Sequence, residues 1–221
     1  ALARVHQSLI WTRQRQANQL RSMLREFYPA ALAAFDDLDE GDALAVLAAA
    51  PTPAAGRALS VDAIIDLLRR AGRRRYLATT ADKIHHALHT EHLRARGQIT
   101  QAYGASTRAL VSIITELSHQ INAIHEQMVT YFGRHPDSEI YLSQPGLGVV
   151  LAARVLAEFG DASGRYTDGK ARRNYAGTSP ITRASGKKKV VLARYARNNR
   201  LSDALFQQAF AALTGSPGAR A

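Results

Sequence analysis

The sequence predicts a mostly α protein, with a helical linker region, a coiled-coil arm and a small helix-hairpin-helix-like C-terminal domain. Three observations predict it. Leu2, Val5, Leu9, Leu20, Leu24 and Phe27 recur at helical spacing. Leu110, Ile114, Leu117, Ile121, Ile124, Met128 and Tyr131 alternate steps of four and three, the signature of a heptad seam. After His135-Pro136 the composition changes to a basic, glycine-containing module. The expected boundaries are 1–80 for the linker region, 81–135 for the arm, 136–213 for the C-terminal domain and 214–221 for a flexible tail.

The first stripe predicts one long helix, stopped at Pro29. Residues 29–59 combine many alanines with the acidic run Asp36-Asp37-Leu38-Asp39-Glu40 and the breakers Gly41, Pro51, Pro53 and Gly56, which predicts short helices and turns. Ser60 is placed to cap a helix with the apolar face Ala63, Ile64, Leu67 and Leu68, running to Gly72, with Asp62 near its positive end. After Thr80 a helical stretch carries His85, His86, His89 and His92 on one face. Two readings stand for it: a metal site, for which no carboxylate or Cys is clearly placed to complete the shell, or a face turned toward nucleic acid.

The heptad helix fits a coiled-coil seam and also an amphipathic helix packed inside a domain, a reading that Ile113 beside the seam keeps open. Its stripe resembles that of the first helix, so the two are expected to pack together, between chains or within one. Further on, Val149 to Phe159 reads as an apolar helix with Gly160 as its C-cap, Ser185 to Val191 as a short hairpin, and Arg197-Asn198-Asn199-Arg200-Leu201 as the opening of a final helix.

Composition narrows the function. Hydrophobic residues make up 46% of the chain, yet no run of eighteen apolar residues occurs, so no membrane-spanning segment is expected. The absence of Cys excludes disulfides and thiolate metal sites and fits a reducing compartment. The start, Ala-Leu-Ala-Arg-Val-His, has no export signal and no initiator Met, as expected of a cytoplasmic protein in truncated form. The net charge is +11, concentrated between Arg165 and Arg200, where eleven Lys or Arg face one acid, Asp168. Five Arg without an acid lie in residues 1–25, and Arg69, Arg70, Arg73, Arg74 and Arg75 form a third cluster. Such blocks attract polyanions. Nucleic acid is favoured over membrane because the C-terminal block lacks a long apolar face.

Gln144-Pro145-Gly146-Leu147-Gly148 precedes the helix from Val149. Two glycines let the backbone approach a phosphate held by the helix's first amides, as in helix-hairpin-helix modules; a simple tight turn is the other reading. Beyond it come Tyr175-Ala176-Gly177-Thr178-Ser179-Pro180, then Arg183-Ala184-Ser185-Gly186-Lys187-Lys188-Lys189, Arg194, and the opening of the last helix. This ordered succession, with "LREFYPA" closing the first helix, resembles the insertion sequence 110/116/902 family of transposases over nearly the whole chain.

The resemblance implies a two-part bacterial enzyme: an N-terminal RuvC-like domain with four metal-binding carboxylates, and a C-terminal domain supplying a serine. It places the serine on Ser185 and the carboxylates upstream of Ala1, leaving Asp36, Asp37, Asp39 and Glu40 a solvated loop. It further implies DNA and an element-encoded guide RNA as partners, a homo-oligomer through the arm, Mg²⁺ for the full enzyme with no metal or cofactor in this chain, a nucleoid-associated location, and no activity of this chain alone. The expected DNA-binding residues are Gly146, Gly148, Arg172, Arg173, Arg183, Lys187, Lys188, Lys189, Arg194, Arg197 and Arg200. One departure stands at Asn198-Asn199, where the family more often has Gly-Asn, leaving the turn geometry open. The rival function is a non-catalytic helix-hairpin-helix-type nucleic-acid-binding module, in which Ser185 is an incidental surface serine. A structural coiled-coil adaptor ranks last, since it needs no basic module.

Overall fold

The computed structural model describes residues 1–93 and 95–220, and they fold into helices with one hairpin. The order is α1 (Leu2–Phe27), α2 (Pro29–Ala34), α3 (Gly41–Ala49), α4 (Pro53–Arg57), α5 (Val61–Arg70), α6 (Leu77–His89) and α7 (Gly97–Gly133). Then follow α8 (Ser138–Leu142), α9 (Val149–Phe159), α10 (Gly169–Ala176), β1 (Ile181–Ser185), β2 (Lys188–Leu192), α11 (Asn199–Gly215) and α12 (Pro217–Arg220). No described helix is long and apolar enough to cross a membrane. The chain divides into two compact units, Gln7–Asn122 and Ala1–His6 joined with Ala123–Ala221.

In the first unit the helix ends follow local chemistry. Pro29 closes α1 and opens α2, because a ring without an N–H is tolerated only in a helix's first turn. Thr52 and Ser60 cap α4 and α5, their hydroxyls accepting from the amides of Ala55 (3.3 Å) and Ala63 (3.2 Å). α6 begins three residues before Thr80, after Tyr76 in a left-handed conformation. Leu20 and Leu24 of α1 share one core with Leu110, Val111 and Ile114 of α7, Leu38 and Leu47 between α2 and the end of α3, and Ile64, Leu68 and Leu88. Phe27 stacks on Tyr103 with ring centroids 5.1 Å apart. The two stripes thus meet within one chain. Along the heptad seam Leu110, Ile114, Ile121 and Met128 are buried, Leu117 and Ile124 half-buried, and Tyr131 exposed.

The second unit is built on α9 and α11, which pack together. Its core joins Ala152, Ala153 and Val155 of α9, Leu201 and Ala204 of α11, Leu147, Ala176, Met128 and Phe132 from the end of α7, and Ala3 from the start of α1. The hairpin is longer than its expected span, beginning at Ile181. Its two-residue turn places Gly186 first, at φ +56, as a glycine-first hairpin loop requires. α11 continues to Gly215, and Pro217–Arg220 adds a last helical turn with no buried side chain.

Candidate nucleic-acid interface

The cations that sequence treats alike fall into two classes. Most of the N-terminal ones are engaged within the chain: Arg4 with Glu158, Arg13 with Asp39, Arg73 with Asp42, Arg69 with Asp66, and Arg21 with the Asp36 carbonyl. The C-terminal ones divide. Arg173 on α10 and Arg183, Lys187, Lys188 and Lys189 on the hairpin are exposed, and among the described residues none makes an ion pair. Arg194 instead donates from Nε to the Ser179 carbonyl (3.1 Å) at the base of the hairpin. The stem of Arg197 lies against Gly177, and Arg200 reaches the Arg4 carbonyl (3.4 Å).

Arg172 is also held internally. Its guanidinium lies 4.3 Å from the Phe159 ring centre and 6.0 Å from that of Tyr166, while Arg165 lies 5.7 Å from Tyr166 and 5.5 Å from Tyr175. Tyr166 donates to the Phe159 carbonyl (2.9 Å), closing the 160–168 loop over this alternating stack. Beside it opens a polar cleft of about 390 Å³ lined by Tyr141, Asp161, Asp168, Arg165 and Arg172. There His135 accepts from the Asp137 amide at Nδ1 (3.2 Å), so its Nε2 proton points to Asp161 (3.1 Å). That hydrogen bond holds the Asp161 carboxyl below its ordinary value.

The two glycines of the Gln144–Gly148 turn have different work. Gly146, at φ +77, presses on α11, where a Cβ would collide with the Gln208 carbonyl and the Ala212 amide. Gln208 secures the turn by donating to the Pro145 carbonyl (3.3 Å). Gly148 is the N-cap of α9, with open space around it and no side-chain cap on the amides that follow.

Behind this surface lies a buried network that sequence reasoning missed. Glu158, 4% exposed, takes a two-pronged pair from Arg4 (2.9 and 3.0 Å) and a bond from Asn198 Nδ2 (2.8 Å). Burial raises its pKa, but these hydrogen bonds and the Arg200 charge outweigh burial and leave it below the ordinary value. Asn198 also donates to the Tyr175 hydroxyl (2.8 Å), and its side-chain oxygen caps α11 at Leu201 (3.0 Å). At φ −74 it is extended, so this turn needs no left-handed residue and Asn serves as an N-cap. Arg154, equally buried, pairs with Asp203 (2.6 Å). The readable signal was Arg154 and Glu158, two charges four apart on an otherwise apolar helix.

Ser185 ends β1, exposed, and among the described residues its hydroxyl makes no hydrogen bond. Thr178 and Ser179 lie in the turn before the hairpin, where the Thr178 amide bonds the Arg173 carbonyl (3.0 Å). On the other unit, the rings of His85 and His89 lie 4.0 Å apart at a tilt of 32° and His89 Nδ1 bonds the His85 carbonyl (2.8 Å). Among the described residues no three His, Asp or Glu side chains stand close enough to hold a metal ion, so neither this face nor the Asp36–Glu40 run forms a metal cluster.

Residues 138–221 match the IS116/IS110/IS902 transposase family. Over its whole length the chain is 44% identical to the mini-circle protein of Streptomyces coelicolor named as a transposase for IS117, covering 54% of that protein. It is 31% identical to an uncharacterized protein of insertion element IS116 from Streptomyces clavuligerus, over 95% of this chain and 52% of the relative. A protein of insertion element IS110 from Streptomyces coelicolor is 28% identical over 93% of this chain and 50% of the relative. No solved structure matches. The chain spans about half the length of the curated relatives it matches, and its residues 138–221 are a transposase domain of the IS116/IS110/IS902 family.

Proposed function

We propose that this chain grips DNA and supplies the serine that takes the DNA phosphate during transposition, working with a RuvC-like carboxylate domain and an element-encoded guide RNA. The observation that carries the reading is the hairpin: four cations without acidic partners, Arg183 and Lys187 to Lys189, share it with a serine at its exposed tip. Clustered uncompensated charge binds phosphates by releasing counterions. The uncapped start of α9 at Gly148 supports a further backbone contact. Family membership favours this reading over a module that only binds.

In the step we propose, Ser185 Oγ bonds to phosphorus as one P–O bond to deoxyribose breaks. The serine proton ends on the leaving oxygen. No Asp, Glu or His lies between Asp168 and Asp203 in the sequence, so the base that relays the proton belongs to another part of the enzyme. The described residues form no metal cluster; the Mg²⁺ implied by the resemblance would be held by the carboxylate domain, and the chain alone would cleave no DNA. Assembly as a homo-oligomer would bring two serines to paired DNA ends. With Leu110 and Ile114 covered within the chain, the contact would use other faces of α7.

The test is Ser185→Ala in the whole enzyme, with the element's joined ends as labelled DNA. DNA binding is expected to persist while the covalent protein–DNA adduct and recombination are lost. Recombination at the unaltered level would reject the assignment and turn attention to Ser179 and Thr178.

A further inference from the structure

We infer that Lys188, with Arg183 beside it, stabilises the charge that develops on the phosphate attacked by Ser185, while Lys187 and Lys189 serve binding alone. The inference rests on the reading of Ser185 as nucleophile and deepens it. Its basis is the hairpin register, which pairs Ser185 with Lys188, Ala184 with Lys189, and Arg183 with Val190.

Directly opposed residues of an antiparallel pair project from the same face, and neighbours along a strand project from opposite faces. One face therefore carries Ser185, Lys188, Arg183 and Val190, and the other carries Ala184, Lys189, Thr182 and Val191. Lys187 sits in the turn beside Gly186. Opposed Cβ atoms lie roughly 4.5–5.5 Å apart, so the Lys188 ammonium on its four-carbon stem can meet a phosphate held at the serine hydroxyl. Arg183 stands two residues back on the same strand, about 6.6 Å along it. Arg194 is tied to the Ser179 carbonyl at the far end of the ribbon. Three consecutive lysines, equivalent in sequence, thus become one at the reacting centre and two away from it.

The chemistry asks for this asymmetry. As the Oγ–P bond forms and the P–O bond to deoxyribose breaks, negative charge builds on the non-bridging and leaving oxygens, and a positive group already in place lowers the barrier. A cation on the opposite face attracts DNA without meeting those oxygens.

The experiment measures single-turnover formation of the covalent adduct by the whole enzyme at saturating DNA, on a labelled duplex carrying the element's joined ends with the encoded RNA co-expressed. Lys188→Ala should slow the adduct about a hundredfold, and Lys188→Arg should recover most of that loss by keeping the charge. Lys187→Ala and Lys189→Ala should instead raise the DNA concentration needed for saturation, as loss of a binding contact does, and slow the saturated step far less than Lys188→Ala. Equal slowing by Lys188→Ala and Lys189→Ala, or no slowing by Lys188→Ala while Ser185→Ala abolishes the adduct, overturns this inference alone. An adduct that survives Ser185→Ala, or none from the unaltered enzyme, rejects the nucleophile reading beneath it.

Discussion

Arg4 and Glu158, 154 positions apart, form a two-pronged ion pair at 2.9 and 3.0 Å that ties the first turn of α1 to α9. Glu158 is buried while the Arg4 side chain is half exposed, so removing the acid leaves a cation that water can reclaim. Glu158→Gln should therefore cost only about 1–2 kcal/mol at neutral pH. The folded carboxyl is held below its ordinary value of 4.5, so its stabilisation is present above that pH and is lost as pH falls through the folded value. Thermal unfolding from about pH 7 down to pH 3 should show an acid limb that Glu158→Gln flattens; an unchanged limb would assign it to other carboxylates.

Gly146 and Gly148 should separate packing from binding. Gly146→Ala forces a Cβ into the α11 backbone at positive φ and should cost at least about 3 kcal/mol. Gly148→Ala meets open space and should lower stability by less than about 1 kcal/mol. Urea denaturation of the two variants compares them, and equal midpoints would refute the contrast.

Arg172 and Arg173 are neighbours with different fates. Arg172→Ala removes a guanidinium stacked on Phe159 and should destabilise the fold by about 1 kcal/mol. Arg173→Ala, on an exposed side chain without an ion pair, should leave the melting temperature unchanged and weaken DNA binding. The reverse order of melting temperatures would contradict the stack's structural role.

The salt dependence of DNA binding should report the hairpin charge. Replacing Lys187, Lys188 and Lys189 together by Gln should flatten the slope of log affinity against log salt by roughly two to three units. Titrations between about 50 and 200 mM salt measure it, and an unaltered slope would place the contacts elsewhere.

Local signals carried much of the fold. The span of α1, the Ser60 cap, the end of α9 at Phe159 before Gly160 and the opening of α11 all follow from periodicity and capping chemistry within a few residues. Features depending on distant partners were out of reach. Arg172 and Arg173 look alike until Phe159 and Tyr166 are seen folded against one of them, and Asn198 looks like a substituted turn glycine until Glu158 and Tyr175 are seen on its side chain. The division of the lysines was latent: once Gly186-Lys187 is read as a two-residue turn, strand alternation assigns every face.

The clasp between Arg4 and Glu158 also bears on the order of assembly during synthesis. Residues 7–122 are contiguous and can gather their core as they leave the ribosome, whereas the unit holding the hairpin recruits its first six residues from the opposite end of the chain. Those residues emerge early and stay without their partners until Glu158 and Arg200 have been made, and closing so long a loop is entropically slow. The unit that carries the basic hairpin is then the last part of this fold to be completed.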